Sequence, residues 1–182
     1  MQGIMIEPNV FIAKVSKDAN GKYAIIEGST KNINNDFNGV YYQSADGIEI
    51  YGTPWVYTEE YPESDELDVY FSEKNTLKST DFTLKLYFIA PDGKKDNEAI
   101  DYIINAYNSF FYFVSGHLIL YWDNVRKRKL LLALTESVKP STTSVLSGRE
   151  YLAVSFKFKN LFGRSFTLSD TTCFADDLSL TE

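Results

Sequence analysis

Two long stretches of the chain alternate strictly between apolar and polar residues, and this period of two predicts β-strands. Side chains of a strand point alternately to its two faces, so each stretch has one face for a core and one for solvent. The first stretch lies in DFTLKLYFIA and the second in EYLAVSFKFKN. The core-facing positions are Phe82, Leu84, Leu86 and Phe88 in the first stretch, and Leu152, Val154, Phe156 and Phe158 in the second.

Residues 96–113 carry apolar side chains at helical spacing, which predicts one main helix between these strands. A single apolar stripe is typical of a helix that packs one face on a sheet. We therefore expect the helix to lie on the sheet that contains Leu84 and Leu86. The predicted stripe consists of Ile100, Ile103, Ile104, Tyr107 and Phe111.

Shorter strands are predicted elsewhere, because short apolar runs are separated by turn residues such as Asn20-Gly21. Residues 29–37 and 139–150 are polar and are predicted to be loops. About nine or ten strands with one helix predict a mainly β protein, an antiparallel β-sandwich or partial barrel with one main α-helix over about 96–113. The shorter strands are predicted at 9–15, 22–27, 39–43, 47–52, 67–71, 117–122, 129–137 and 165–170.

Length and charge limit the classes of function. The 182 residues show no internal repeat and no linker, so we expect one β-rich domain over 1–170 and a polar C-terminal arm over 171–182. The net charge of −7 argues against a nucleic-acid partner, which calls for a basic face. No run approaches the roughly 18 apolar residues of a membrane span, so no membrane insertion is expected.

The sequence offers little for catalysis. His117 is the only histidine and Cys173 the only cysteine, too few for a zinc site. The position of His117 at a strand start and of Cys173 near a polar tail favours structural roles over a paired nucleophile and base. Phosphate-binding glycine motifs are absent. A pair of carboxylates for glycoside hydrolysis stays open, because two such residues can meet from anywhere in a fold, but the sequence nominates none. We predict no catalytic residue, no metal site and no cofactor.

Two charged stretches and one aromatic group are the candidate contact residues. The aromatic group, Trp55, Tyr57 and Tyr61, could form a sugar platform, or could pack the neighbouring loop or a subunit contact. The acidic segment, predicted to be a solvated loop, contains Glu59, Glu60, Glu63, Asp65, Glu66 and Asp68. The basic turn, predicted between two strands, contains Arg126, Lys127, Arg128 and Lys129.

The block from Phe82 to Phe158 has a recognisable order of elements. The strand DFTLKLYFIA is followed by the helix EAIDYIINAYNSFF, the strand GHLILYWDN, a basic turn, the strand RKLLLALTES, a loop and the strand EYLAVSFKFKN. This order resembles the ring-forming N-terminal domain of phage distal tail proteins. The resemblance implies a β-sandwich-like subunit of a ring, expected to be hexameric, that joins the tail tube to the receptor-binding apparatus. It supplies no catalytic residues.

The resemblance also implies the partners and location of the protein. The expected partners are further copies of the chain and other tail proteins, and the expected location is the virion tail, after synthesis in the cytoplasm of the bacterial host. We expect the acidic segment and the basic turn to meet across a subunit boundary or against another tail protein. The alternatives are a carbohydrate-binding β-sandwich module and a tail tube or tail-terminator protein, with an enzyme ranked after these.

Overall fold

The structure is a computed structural model that describes residues 9–53, 56–60, 67–71 and 77–175. Within these residues lie twelve strands and two helices. The helices are α1 (Ile33–Asp36) and α2 (Asp96–Val114). The strands are β1 (Val10–Lys17), β2 (Tyr23–Ile25), β3 (Lys31–Asn32), β4 (Val40–Asp46), β5 (Val56–Glu60), β6 (Leu67–Phe71), β7 (Thr80–Ile89), β8 (Leu118–Asp123), β9 (Arg128–Val138), β10 (Ser144–Leu146), β11 (Arg149–Asn160) and β12 (Phe166–Thr167).

Ten of these strands form one sheet, and their ladders are antiparallel. Its main path runs β2-β1-β8-β9-β11-β7-β4, while β3, β10 and β12 pair at the sides of β1, β11 and β9. In the described part of the chain, β5 and β6 pair only with each other. The prediction of a mainly β, antiparallel partial barrel or sandwich with one main helix is confirmed.

The inner face of the sheet packs on α2 through aromatic side chains. The Phe110 ring lies 4.9 Å from the Phe156 ring and 6.3 Å from the Phe88 ring, measured between centroids. Phe88 belongs to β7 and Phe156 to β11, so one helical residue contacts both of the paired strands. The eight inward positions predicted on these strands are all buried. Edge-to-face aromatic pairs add about 0.5–1.5 kcal/mol each to the stabilisation from burial.

The buried stripe of α2 differs from the predicted one. Ile103 and Tyr107 are buried as expected, but Ile104 is exposed, and Ile100 and Phe111 are only half-buried. The stripe is rotated because the small side chains of Ala99 and Ala106 let the helix approach the sheet closely. The predicted stripe was chosen from large apolar residues and therefore did not include these alanines. The buried residues of α2 are Ala99, Ile103, Ala106, Tyr107, Phe110 and Val114.

Three strands, β1, β8 and β9, are covered on both faces. On β8, Ile119 and Tyr121 point to the core under α2, while Leu120 and Trp122 point to a second, smaller core. That second core is closed by residues that follow β11, including Phe166 and Phe174. Strands buried on both faces have near-continuous apolar sequences, as LILYW and LLL have here.

The edge strand β4 is covered by side chains. The backbone N–H of Tyr42 donates to Asn34 Oδ1 at 2.8 Å, and Arg126 Nη1 donates to the carbonyl oxygen of Ala45 at 3.2 Å. On the inner face of the sheet, the hydroxyl of Tyr121 lies beside that of Tyr42 and donates to Asp123 Oδ2 at 3.4 Å. The curled sheet thus brings β4 to the turn after β8, and side chains join the two regions. Burial raises the pKa of both Tyr121 and Tyr42.

Three segments differ from their predictions. Residues 29–37 contain β3 and α1 because Asn32 Oδ1 accepts from Asn34 N and Asn35 N and starts a turn of helix. Residues 47–52, predicted as a strand, form none in this described stretch, since β4 ends at Asp46. The predicted loop 139–150 contains β10, which pairs with β11 across a tight turn at Ser147-Gly148, where φ is 51° and 76°.

Residues 171–175, assigned from the sequence to a polar arm, pack on the body instead. Phe174 is fully buried, and its ring lies 5.2 Å from that of Phe166. The backbone N–H of Ala175 donates to Tyr23 O at 2.9 Å, and Tyr23 N donates to Cys173 O at 3.1 Å. Phe174 thus anchors this otherwise largely polar segment to the second core. The rest of the predicted arm, 176–182, lies outside the described residues.

A backbone junction holds the two ends of the excursion between β4 and β7. Gly52 N donates to Gly163 O at 2.7 Å, and Lys78 N donates to Thr53 O at 2.8 Å. A Cβ atom at Gly52 or at Gly163 would overlap the carbonyl oxygen of Lys78. Gly163 also has φ of +63°, which favours glycine. The backbone at residues 52–53 and the backbone at residue 78 are therefore held together at one point.

The neighbouring residues Ile103 and Ile104 test the orientation of α2. Ile103 is 1% exposed and Ile104 is 48% exposed. Ile103→Asp places an unpaired charge in the core and should lower the free energy of unfolding by more than about 4 kcal/mol, enough to prevent folding. Ile104→Asp carries the same cost in helix propensity and should change it by less than about 1 kcal/mol. Urea unfolding followed by circular dichroism measures both; equal losses would show that the orientation is wrong.

The dependence of stability on alkaline pH tests the burial of the Tyr121 hydroxyl on the inner face of the sheet. A raised pKa means that folded Tyr121 keeps its proton where the unfolded chain releases it near pH 10, so stability is present below pH 10 and falls above it. Between pH 10 and pH 11, the free energy of unfolding of Tyr121→Phe should fall by about 1 kcal/mol less than that of the wild type. Burial lowers the pKa of Lys129, so this residue makes the stability rise with pH. Its contribution is the same in the wild type and in Tyr121→Phe. Identical pH slopes in urea unfolding would contradict the assignment.

Candidate interaction site

The acidic segment lies partly on a β-ladder. Glu59 and Glu60 belong to β5 and Asp68 to β6, with Glu59 directly opposite Asp68 in the register. The prediction of a loop is therefore wrong for Glu59 and Glu60, because the run VYTEE pairs with the predicted strand LDVYF, which contains Asp68. Glu63, Asp65 and Glu66 lie outside the described residues, so the role of the segment as an interface stays a prediction.

The aromatic group near this segment is described only in part. Tyr57 lies on β5, opposite Tyr70 of β6. Trp55 and Tyr61 lie outside the described residues. Both interpretations of this group, a sugar platform and a packing contact, therefore remain predictions.

The basic turn is built around the carboxylate of Asp123. Asp123 Oδ1 accepts from Val125 N at 3.1 Å and from Arg126 N at 2.5 Å, which closes the turn after β8. Arg126 and Lys127 have high overall exposure, but the Arg126 guanidinium is engaged by Ala45 O. Arg128 begins β9 and is half-buried. The turn therefore presents fewer outward charges than its sequence indicates.

Lys129 is a correction to the predicted basic surface, because its side chain is fully buried. It lies on the face of β9 that points to the second core, opposite Trp122 and Phe166 in the ladders. Its Nζ donates to Leu168 O at 3.1 Å and to Asp170 O at 2.5 Å, and lies 4.3 Å from the centre of the Phe174 ring. Burial lowers the pKa of its amino group. Lys129 thus holds the segment after β12 against the sheet.

The described residues provide no cluster of three or more His, Cys, Asp or Glu side chains that could hold a metal ion. His117 is exposed after α2, and Cys173 is half-buried beside β2, where its carbonyl binds Tyr23. Within the same residues, no helix has the length and apolar character needed to cross a bilayer.

The outer face of β4, β7, β10 and β11 carries a cluster of aromatic and apolar side chains, which we term the tyrosine face. The registers place Tyr41 opposite Tyr87, and Ile89 opposite Tyr151. The Tyr87 and Tyr151 rings meet edge to face, with centroids 5.7 Å apart. They border a groove of about 270 Å³ that Leu146 and Arg149 also line. The tyrosine face comprises Tyr41, Tyr87, Ile89, Leu146 and Tyr151.

The other half of the same outer face is charged. Three ion pairs cross its strands: Lys85 with Asp46 at 3.2 Å, Lys157 with Glu136 at 3.0 Å, and Lys159 with Asp81 at 2.5 Å. These pairs are solvated, and each is worth only about 0–1 kcal/mol. One sheet face is thus divided into a half suited to water and a half suited to burial.

Sequence reasoning missed the tyrosine face, although its strands were predicted. Tyr87 occupies an outward position of DFTLKLYFIA, where alternation predicts a polar residue, and Tyr151 occupies an outward position of EYLAVSFKFKN. Aromatic residues at solvent-facing strand positions were a usable signal, because such residues are enriched at interfaces. That the tyrosines are neighbours depends on the register between distant strands.

A second cleft lies between α2 and the residues that follow α1. It has a volume of about 290 Å³, and its lining includes Asp36, Asn38, Tyr102, Asn105 and Ser109. Its polar side chains are solvated at the surface, so it offers less area for burial than the tyrosine face.

Comparison with known proteins gives likenesses to solved structures but no match in sequence. No protein-family model matches the chain, and no curated protein matches it significantly. A chain in the solved structure titled "Structure of the phage p2 baseplate in its activated conformation with Sr" is similar, with a TM-score of 0.45 and 12% sequence identity. The likeness covers 83% of the present chain and 44% of that one, so the present chain spans less than half of its length.

The buried amino group of Lys129 can be tested by replacing it with an apolar side chain of similar length. Lys129→Met leaves two carbonyl groups without their donor and should lower the free energy of unfolding by about 1–3 kcal/mol. It should also speed hydrogen exchange at the amide of Ala175, which depends on the same segment. Lys95→Met, at an exposed position directly before α2, is the control and should change stability by less than about 0.5 kcal/mol. Equal effects in the two variants would contradict the structural role of Lys129.

Proposed function

We propose that this protein is a structural subunit of a phage or prophage tail, which forms a ring at the tail tip and joins the tail tube to the receptor-binding apparatus. The supporting observation is the arrangement of β7, α2, β8, β9 and β11. These elements follow one another in the order on which the resemblance to phage distal tail proteins rests. They also form one folded unit, since β7, β11, β9 and β8 are consecutive neighbours in the sheet and α2 covers its inner face.

The surface chemistry also supports a role in assembly. A subunit of a ring buries area against its neighbours, and such interfaces are enriched in tyrosine and other aromatic side chains. The tyrosine face is a surface of this kind, set beside a charged region that stays solvated. The proposal includes no catalysis, no cofactor and no nucleic-acid partner. Six copies remain the number that we expect in the ring.

Fewer residues of the basic turn can take part in the proposed pairing with the acidic segment than the sequence indicates. Lys129 is buried and the Arg126 guanidinium donates to the carbonyl oxygen of Ala45, so these two residues are removed from the expected pairing, and Arg128 at the start of β9 can test it. Charged rims set register and association rate more than affinity. The reversal Arg128→Glu should therefore slow assembly without abolishing it, and an unchanged assembly rate in stopped-flow light scattering would remove this pairing from the proposal.

The oligomeric state tests the proposed function directly. Native mass spectrometry and negative-stain electron microscopy should show closed rings of the purified chain, or rings formed when its tail neighbours are added. Because the contacts are expected to be largely apolar, rings should persist in 0.5 M salt, where exposed ion pairs are screened to a range of about 4 Å.

Two outcomes would contradict the ring proposal in different ways. A protein that stays monomeric at high concentration, both alone and with tail neighbours, would exclude the ring. A glycan-array signal that disappears in Trp55→Ala would instead favour the carbohydrate-binding module. His117→Ala and Cys173→Ser serve as controls, and both should leave assembly unchanged.

A further inference from the structure

The tyrosine face and helix α2 lie on opposite sides of the same pair of strands. The inner residues of β7 and β11, such as Phe88 and Phe156, contact α2. The outer residues of the same strands, such as Tyr87 and Tyr151, form the tyrosine face. Any surface on the far side of α2 therefore faces away from the tyrosine face, and one copy presents the two in opposite directions.

The far side of α2 also carries apolar side chains that nothing in the described residues covers. Ile104 is 48% exposed and Tyr112 is 71% exposed. At 100° per residue, these two positions and Phe111 lie on adjacent sectors of the helix, together with Asp101. We term this surface the outer α2 face, and it comprises Asp101, Ile104, Phe111 and Tyr112.

The two surfaces are complementary in charge and in hydrogen bonding. Helix α2 carries three acidic residues, Asp96, Glu98 and Asp101, and no lysine or arginine. The groove of the tyrosine face is bordered by phenol groups and by Arg149, whose Nε donates to Ala90 O at 3.0 Å and pairs with the exposed carboxylate of Asp92 at 3.1 Å, so the Nη groups of Arg149 are its donors toward a partner. Phenols and a guanidinium donate hydrogen bonds to carboxylates. Apolar side chains on both sides supply area for burial, notably Leu146, which is 68% exposed.

We propose that the tyrosine face of one copy docks on the outer α2 face of a second copy. The contact joins two different surfaces, so it is heterologous and repeats from copy to copy, and it closes into a ring when the rotation between copies permits. This inference rests on the proposed ring and identifies the surfaces that build it. Arg149 lies at the rim, where it meets the carboxylates of α2, while Leu146 and Tyr112 are buried between the copies.

Two charge-introducing variants test the two surfaces separately. Leu146→Arg alters the tyrosine face and Tyr112→Arg alters the outer α2 face, and both positions are exposed, so both variants should fold. Each has a matched control. Val145→Arg lies on the opposite side of β10 at 66% exposure, and Asn97→Arg lies at an exposed position in the first turn of α2, about four turns from Tyr112. Each test variant should raise the concentration needed for assembly more than tenfold, and each control should leave it within twofold.

Mixing the two defective variants is the decisive measurement. Leu146→Arg keeps an intact outer α2 face and Tyr112→Arg keeps an intact tyrosine face, so the mixture should form a one-to-one heterodimer that grows no further. Native mass spectrometry separates this species from the homo-oligomers by mass. Circular dichroism and thermal unfolding of each variant confirm that the fold is retained.

The remaining outcomes overturn the inference. If Leu146→Arg blocks assembly while Tyr112→Arg assembles normally, the tyrosine face meets a copy of itself or another surface. If both variants form rings as the wild type does, this pair of surfaces is wrong while the proposed ring stands. If the wild type is monomeric under every condition, alone and with tail neighbours, both the inference and the proposed function fail.

Discussion

The contact of Phe110 with Phe88 and Phe156 determines where the other surfaces of the folded body lie. It presses α2 against the centre of the β7–β11 pair and fills the inner face of the sheet. Burying a phenylalanine contributes about 1.5–3 kcal/mol, and each aromatic pair adds to this. With the inner face occupied, the opposite face of the same strands remains outside, so the position of the tyrosines follows from the packing of the helix.

The elements of the fold that were predicted correctly depend on local periodicity. β7 and β11 alternate over nearly their whole length, and the single long helix was placed within one residue of its observed end. What local patterns could not provide is packing between distant segments. The rotation of α2 depends on how closely Ala99 and Ala106 approach the sheet. The burial of Lys129 depends on Phe174, which lies 45 positions later in the chain.

The candidate site was harder to predict than the fold, for a related reason. Clusters of charge are contiguous in sequence, so the acidic segment and the basic turn were easy to notice. Charged residues that are contiguous in sequence need not share one surface, because successive residues of a strand point to opposite faces. Lys129 is an example. The tyrosine face is assembled from β4, β7, β10 and β11, whose residues are far apart in the chain. Only the registers Tyr41–Tyr87 and Ile89–Tyr151 bring them together.

The backbone junction at Gly52, Lys78 and Gly163 bears on how this protein can change during evolution. Because residues 52–53 and residue 78 are joined at one pinned point, the number of residues between them is decoupled from the register of the sheet. The entropy of closing a segment between two fixed ends rises only slowly with its length, by about 0.6 kcal/mol for each doubling. Insertions and deletions there can be accepted while the body keeps its shape, provided that both glycines are kept. The excursion is thus the natural place for lineages to diversify, and for an experimenter to insert an epitope.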